Sequence, residues 1–152
     1  MISRYIVLRT ALAAGLLATA LVGCGQLRPA HKIDIYEASL SGAQEVPPAN
    51  TPATGAAEVM LNTNTNTLSW KVTYSGLTGA ATGGHLHGPA PMGQNAGVMV
   101  PFTGNLDAQP MTGQATLTTQ QVTALTSGQL YVNLHTAQFP NGEIRGQLRP
   151  RR

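Results

Sequence analysis

From Ile33 onward apolar and polar positions alternate. Ile33 and Ile35 flank Asp34, Tyr36 and Glu37 follow, and the segment closes at Leu40-Ser41-Gly42. A period of two predicts a strand. Residues 46–52, Val-Pro-Pro-Ala-Asn-Thr-Pro, predict an extended loop, because proline brings no N–H to a ladder. Residues 56–61 and 68–74 predict two strands around Asn62-Thr63-Asn64-Thr65-Asn66-Thr67, whose side chains favour turns; together they make a hairpin. In the second, Leu68, Trp70 and Val72 share a face opposite Ser69, Lys71 and Thr73. Trp70, the chain's one tryptophan, is expected to anchor the core. Residues 98–102 predict an edge strand or strand end containing Pro101, and residues 114–117 another short strand. Residues 129–136 and 143–149 predict two more, joined through Asn141-Gly142, a hairpin signal. Only residues 118–125 read as a helix. Thr118 and Gln121 have capping-box spacing, and Gly128 is a natural stop. Many short strands separated by turn residues predict an all-β, antiparallel β-sandwich or barrel with one short helix near residues 118–126.

The residues before Ile33 follow a different rule. Residues 1–9 carry Arg4 and Arg9 and no acid, residues 10–22 are almost continuously apolar, and Leu21-Val22-Gly23-Cys24 follows. A basic start, a short apolar run and a small residue before the cut describe a secretory signal. The run falls short of the roughly 20 residues of a spanning helix. LVGC also resembles the lipobox of bacterial lipoproteins, in which the cysteine is acylated and becomes the new N-terminus. Cys24 is the only cysteine, and a leftover thiol in an exported chain otherwise lacks a role; the alternative is an ordinary signal with a stray cysteine. The expected organisation is a signal peptide over 1–23, a lipidated Cys24 and tether over 24–32, one domain over 33–149 and a basic tail over 150–152. More than one acyl chain suffices for stable membrane anchoring. Gly25 after the cysteine, by resemblance to sorting in some Gram-negative bacteria, points to the outer membrane facing the periplasm. Removing Arg4 and Arg9 leaves seven Lys/Arg against six Asp/Glu, a net charge of +1. The pI near 9.4 therefore belongs partly to the leader. No basic stripe with interleaved aromatics appears, which argues against nucleic acid as a partner. With Cys24 lipidated no disulfide forms, and about 120 residues must hold by their core alone.

Candidate chemistry centres on Gly83-Gly84-His85-Leu86-His87-Gly88-Pro89-Ala90. In a strand His85 and His87 project to one side, roughly 7 Å apart along the backbone, and Leu86 points into the core. The glycines allow other backbone to come close. In residues 130–135 Leu130, Val132 and Leu134 form the apolar face, so Tyr131, Asn133 and His135 share the polar one. Three imidazoles suit copper or zinc; the same histidines also fit a role holding loops through backbone carbonyls. His31 falls in the tether. Glu45 reads as a solvated loop acid, a ligand or an ion-pair partner, and Glu143 with Arg145 as a surface pair. Met92, Met99 and Met111 offer either soft thioethers or core filling. Asp34 and Asp107 sit in no hydrolytic motif, and no phosphate loop is present.

Residues 40–48 (LSGAQEVPP), GGHLHGPA, Gly97-Val98-Met99-Val100, residues 130–136 (LYVNLHT) and residues 140–148 (PNGEIRGQL), in that order, resemble a CHRD domain over about residues 33–149. The H-x-H strand also looks like the copper-ligand strand of Cu/Zn superoxide dismutases, a Greek-key-like β-sandwich family. This chain lacks that family's histidine-rich zinc loop and its disulfide. Together these resemblances imply a lipid-anchored, non-enzymatic module of the cell envelope with copper or zinc at His85, His87 and His135. Position in the family blocks makes Glu45, Asn133 and Glu143 candidates to orient the imidazoles. The alternatives are a metal-free module docking an envelope protein or polysaccharide, and a redox enzyme of superoxide dismutase type.

Overall fold

The computed structural model describes residues 32–152; the leader, Cys24, the tether through residue 31 and His31 lie outside the described residues. The elements in chain order are β1 (Ile33–Ser41), a 3-10 turn (Gly42–Gln44), β2 (Thr54–Asn62), β3 (Thr67–Ser75), β4 (Ala81–His87) and β5 (Val98–Pro101). Then come β6 (Met111–Thr116), α1 (Thr119–Thr126), β7 (Tyr131–Thr136), β8 (Ile144–Gln147) and β9 (Arg149–Pro150). Among the described residues, no helix is long and apolar enough to cross a membrane. The expected antiparallel all-β fold with one short helix is what the chain adopts. Thr118 caps α1 with both arms of the capping box in place, and Gly128, at φ +68, follows its end.

The strands run in one sheet, ordered β5-β4-β7-β8-β1-β2-β3-β6, with β9 also on β1. The halves β5-β4-β7-β8 and β1-β2-β3-β6 join at a narrow corner. There β8 meets β1 only at Ser41 opposite Arg145; farther along β1, β9 takes over against Tyr36 and Glu37. Folding at this corner sets the halves face to face, and Trp70 of β3 stacks on Phe102 just past β5, centroids 4.6 Å apart. β3 pairs with β6 and β4 with β7, connections of Greek-key type.

The inward alternation fills the core. Leu61 and Val59 of β2, Leu68, Trp70 and Val72 of β3, Leu86 of β4, Val132 and Leu134 of β7 and Ile144 of β8 are buried together. Outward, the two halves differ. The outer side of β1–β3 shows Glu37, Lys71 and Thr73 to solvent. Every residue of β7 and β8 is buried on both sides. The covering segments are visible in their bonds. Asn133 Nδ2 donates to Glu45 Oε2 after the 3-10 turn, and the Ala96 N–H of the β4–β5 loop donates to Tyr131 Oη. Arg145 donates to Asn95 Oδ1 and to the Gln94 carbonyl in the same loop.

His135 is on the polar face, as expected, and is covered there. Two expectations are corrected. Glu45 is 5 % exposed rather than a solvated loop acid. Glu143 and Arg145 are buried and do not pair with each other: Glu143 accepts from Thr51, Thr78 and Thr136, while Arg145 turns to the loop. The alternation tells which side is polar, not that two loops fold back over it.

Candidate metal centre

The antiparallel register of β4 on β7 builds the site. Gly83 faces His135, His85 faces Asn133 and His87 faces Tyr131. A period of two puts His85 and His87 on the outer side of β4 and Asn133 and His135 on the same side of β7. Gly83 presents no side chain opposite His135. A Cβ there would stand 3.1 Å from His85 Cε1 and 3.4 Å from His135 Cδ2, so the glycine is what lets the two rings lean together. One ligand atom from each of His85, His87 and His135 lies within 4.8 Å of the others. Ring centroids are 4.9 Å (His85–His135), 5.4 Å (His85–His87) and 5.8 Å (His87–His135) apart. Nitrogens bound at about 2.05 Å in tetrahedral geometry stand about 3.4 Å from one another. The ligand atoms, up to 4.8 Å apart, exceed that spacing by about 1.4 Å at most.

Two of the three tautomers follow from backbone acceptors. A carbonyl oxygen only accepts, so His87 Nδ1–H donates to the Ala96 carbonyl at 3.0 Å and His135 Nδ1–H to the Pro140 carbonyl at 3.0 Å. Each Nε2 then carries a lone pair. That of His87 is buried without a partner. That of His135 is 3.0 Å from His85 Nδ1, which must hold the proton between them. His87 and His135 are each 9 % exposed, and His85 is half-buried. Burial lowers all three pKa values. His85, pushed down further by His135 and His87, falls to about 4. His87 is lowered by burial, its bond to Ala96 pulls the other way, and Arg145 lowers it again. His135 is likewise lowered, mainly by burial, with Pro140 opposing. The cluster is therefore neutral imidazole at neutral pH, the form that binds a metal.

The side chains expected to orient the rings do other work. Backbone carbonyls hold His87 and His135. Glu45 and Asn133 bond each other, and Glu143 gathers three threonines. Two residues that sequence reasoning left aside stand against the cluster. Tyr131 stacks flat on His87, 5.1 Å between centroids and 10° between planes, and the Arg145 guanidinium lies over the ring of the same tyrosine, 3.5 Å from its centroid. Tyr131 shares the polar face with Asn133 and His135, which was the available signal. Arg145 had none beyond its place two residues after Glu143. Of the methionines, Met111 is fully buried in the core and Met92 is exposed, while Met99 packs against the core's edge.

A family model for the CHRD domain matches residues 36–148. No curated protein and no solved structure matches the chain.

Proposed function

The chain belongs to the CHRD domain family, and from that premise we propose that it is a non-enzymatic module of the cell envelope that binds copper or zinc. His85, His87 and His135 are the ligands, and the lipid on Cys24 is the anchor. The observation that carries this reading is the convergence of three neutral imidazoles, two of them already turned by backbone carbonyls so that Nε2 faces the cluster. The buried, unpartnered Nε2 of His87 is a polar atom that burial penalises unless something completes it. A set of three nitrogens without thiolate or carboxylate fits copper and zinc and leaves a hard cation such as magnesium poorly served. His85, His87 and His135 would hold the metal through ring nitrogens; His85 would then give up its hydrogen bond to His135 and, if it bound through Nδ1, would carry its proton on the other ring nitrogen.

Titrating the protein with Cu(I), Cu(II) and Zn(II) by competition against a chelator tests this. One equivalent is expected to bind. The His85→Ala, His87→Ala double variant is expected to lose more than the roughly 10–100-fold that removal of an outer partner costs. Unchanged affinity in the double variant would sink the site.

A further inference from the structure

The lone pair of His87 Nε2 is shut off from solvent, so a metal reaches it only after a neighbouring group moves. The rings packed against His87 are those of Tyr131, His85 and His135. Two of them are tied to the main chain. Tyr131 Oη accepts from the Ala96 N–H at 3.0 Å, and the Arg145 guanidinium lies over its ring. His135 Nδ1–H donates to the Pro140 carbonyl at 3.0 Å. His87 itself is stacked on Tyr131 and bonded to the Ala96 carbonyl.

His85 differs on each count. It is more exposed than the other two histidines, and its ring meets both of them edge-on. Its hydrogen bond goes to a side chain, His135 Nε2 at 3.0 Å, and not to backbone. Beside the ring lies Gly83, where a Cβ would stand 3.1 Å from His85 Cε1 and 3.6 Å from its Nε2; no side chain there pins it. In this position His85 caps the lone pair of His135 and stands against His87. A single neutral hydrogen bond is a weak latch, and a side chain with solvent on one side changes rotamer quickly. The proton is conserved when the latch opens. His85 stays a neutral imidazole, its Nδ1–H leaving His135 as the ring swings out. It returns either through Nε2 with that proton in place, or through Nδ1 with the proton moved to Nε2.

We propose that His85 is the gate and the exchangeable ligand of the centre: His87 and His135 form the fixed pair that holds the metal, and His85 swings out to admit it and to pass it to an acceptor. This role rests on the metal reading of the same site, and the test separates the two. Zn(II) is the probe, its loading followed with a fluorescent zinc indicator and its release with a chelator in stopped flow. His85→Ala is expected to bind Zn(II) more weakly than the parent and yet to load about 2–10-fold faster, because the cost of opening one hydrogen bond is gone. His87→Ala is expected to load no faster than the parent. It is also expected to bind more weakly than His85→Ala by about tenfold or more, the scale on which even an outer partner of a ligand counts. In the parent, release is expected to speed up as chelator concentration rises, since the chelator takes the place of His85 while the fixed pair still holds. That arm needs no substitution that could disturb folding. Slower or unchanged loading in His85→Ala, equal affinity losses in His85→Ala and His87→Ala, or release independent of chelator concentration overturns the gate and leaves the metal centre standing. Failure of the parent to bind one equivalent of Zn(II) also overturns the gate, and failure with copper as well overturns the metal reading too.

Discussion

At the scale of single residues, the pairing of Glu45 with Asn133 explains an acid that would otherwise be misplaced. Asn133 Nδ2 donates to Glu45 Oε2, yet Glu45 Oε1 and Asn133 Oδ1 are both buried without partners. Both also crowd Gly142. A Cβ there would stand 2.5 Å from Asn133 Oδ1 and 2.7 Å from Glu45 Oε1. As a carboxylate, Glu45 can only accept, and its second oxygen stays buried with nothing to accept from; as an acid, it gains an O–H to donate. Burial is the main force raising its pKa to about 7, and the neutral acid is the form that burial favours. The sign of the pH effect follows. A carboxyl raised from 4.5 to about 7 on folding contributes stability that is complete below about pH 4.5 and is lost as pH rises through 7. Glu45→Gln reproduces the neutral acid's pattern, with an amide N–H in place of the O–H. Denaturant unfolding is expected to find the variant within error of the parent at pH 4.5 and more stable at pH 8 by about 1–2 kcal/mol, a figure discounted for solvent screening. A variant equally destabilised at both pH values would contradict this account.

At the scale of elements, the β3–β6 pair shows how one glycine sets a packing layer. Gly113 of β6 faces Trp70 of β3, and a Cβ at Gly113 would lie 2.3 Å from Trp70 Cζ2, in the indole itself. The indole cannot stay where it is if β6 keeps its register, and its stack on Phe102 links the two halves of the sheet. Gly113→Ala is therefore expected to cost about 1–3 kcal/mol, as overpacking generally does. The lone tryptophan reports it directly in a denaturant titration, and a cost below about 0.5 kcal/mol would show that the indole moves freely. The same pair shows where reading the chain stops. The clean alternation of β2, β3 and β7 was legible, as was the helix, whose capping box located Thr118. The pattern predicts β6 only from Gln114, because Met111-Thr112-Gly113-Gln114 alternates no apolar residues; its start at Met111 is set by pairing along β3, a non-local fact. The shared side of His85 and His87 was legible from the period of two, and so was the polar face bearing His135. The meeting of the two faces needed the β4–β7 register, and their burial needed loops 42–46 and 88–97 folded back over the sheet, which no local pattern in β7 or β8 encodes.

At the scale of the whole molecule, the sheet closes through very little backbone, and Glu143 reinforces the closure. The two halves meet on the main chain at Ser41 and Arg145 and along β9. The fully buried Glu143 carboxylate accepts from Thr51 Oγ1 at 2.7 Å, from Thr78 N and Oγ1 at 3.0 and 2.8 Å, and from Thr136 Oγ1 at 2.6 Å. Thr51 precedes β2 in one half, Thr136 ends β7 in the other, and Thr78 lies on the crossing from β3 to β4. One side chain thus ties both halves to the segment that delivers the histidine strand. Burial alone would raise its pKa, but the bonds from Thr136, Thr51 and Thr78 outweigh that and lower it, so its contribution is present above the ordinary carboxylate range and is lost on acidification. Hydrogen bonds to a charged acceptor contribute roughly 1.5–3 kcal/mol each and do not add fully. Glu143→Ala is expected to cost about 3 kcal/mol or more and Glu143→Gln less, since the amide keeps one acceptor. Hydrogen exchange should locate the loss. Protection at the Thr78 amide is expected to collapse in Glu143→Ala, while β2 and β3 keep the protection of their own ladder. A variant that unfolds uniformly, or one as stable as the parent, would mean that the corner is held by the core packing of Leu134 and Ile144 instead.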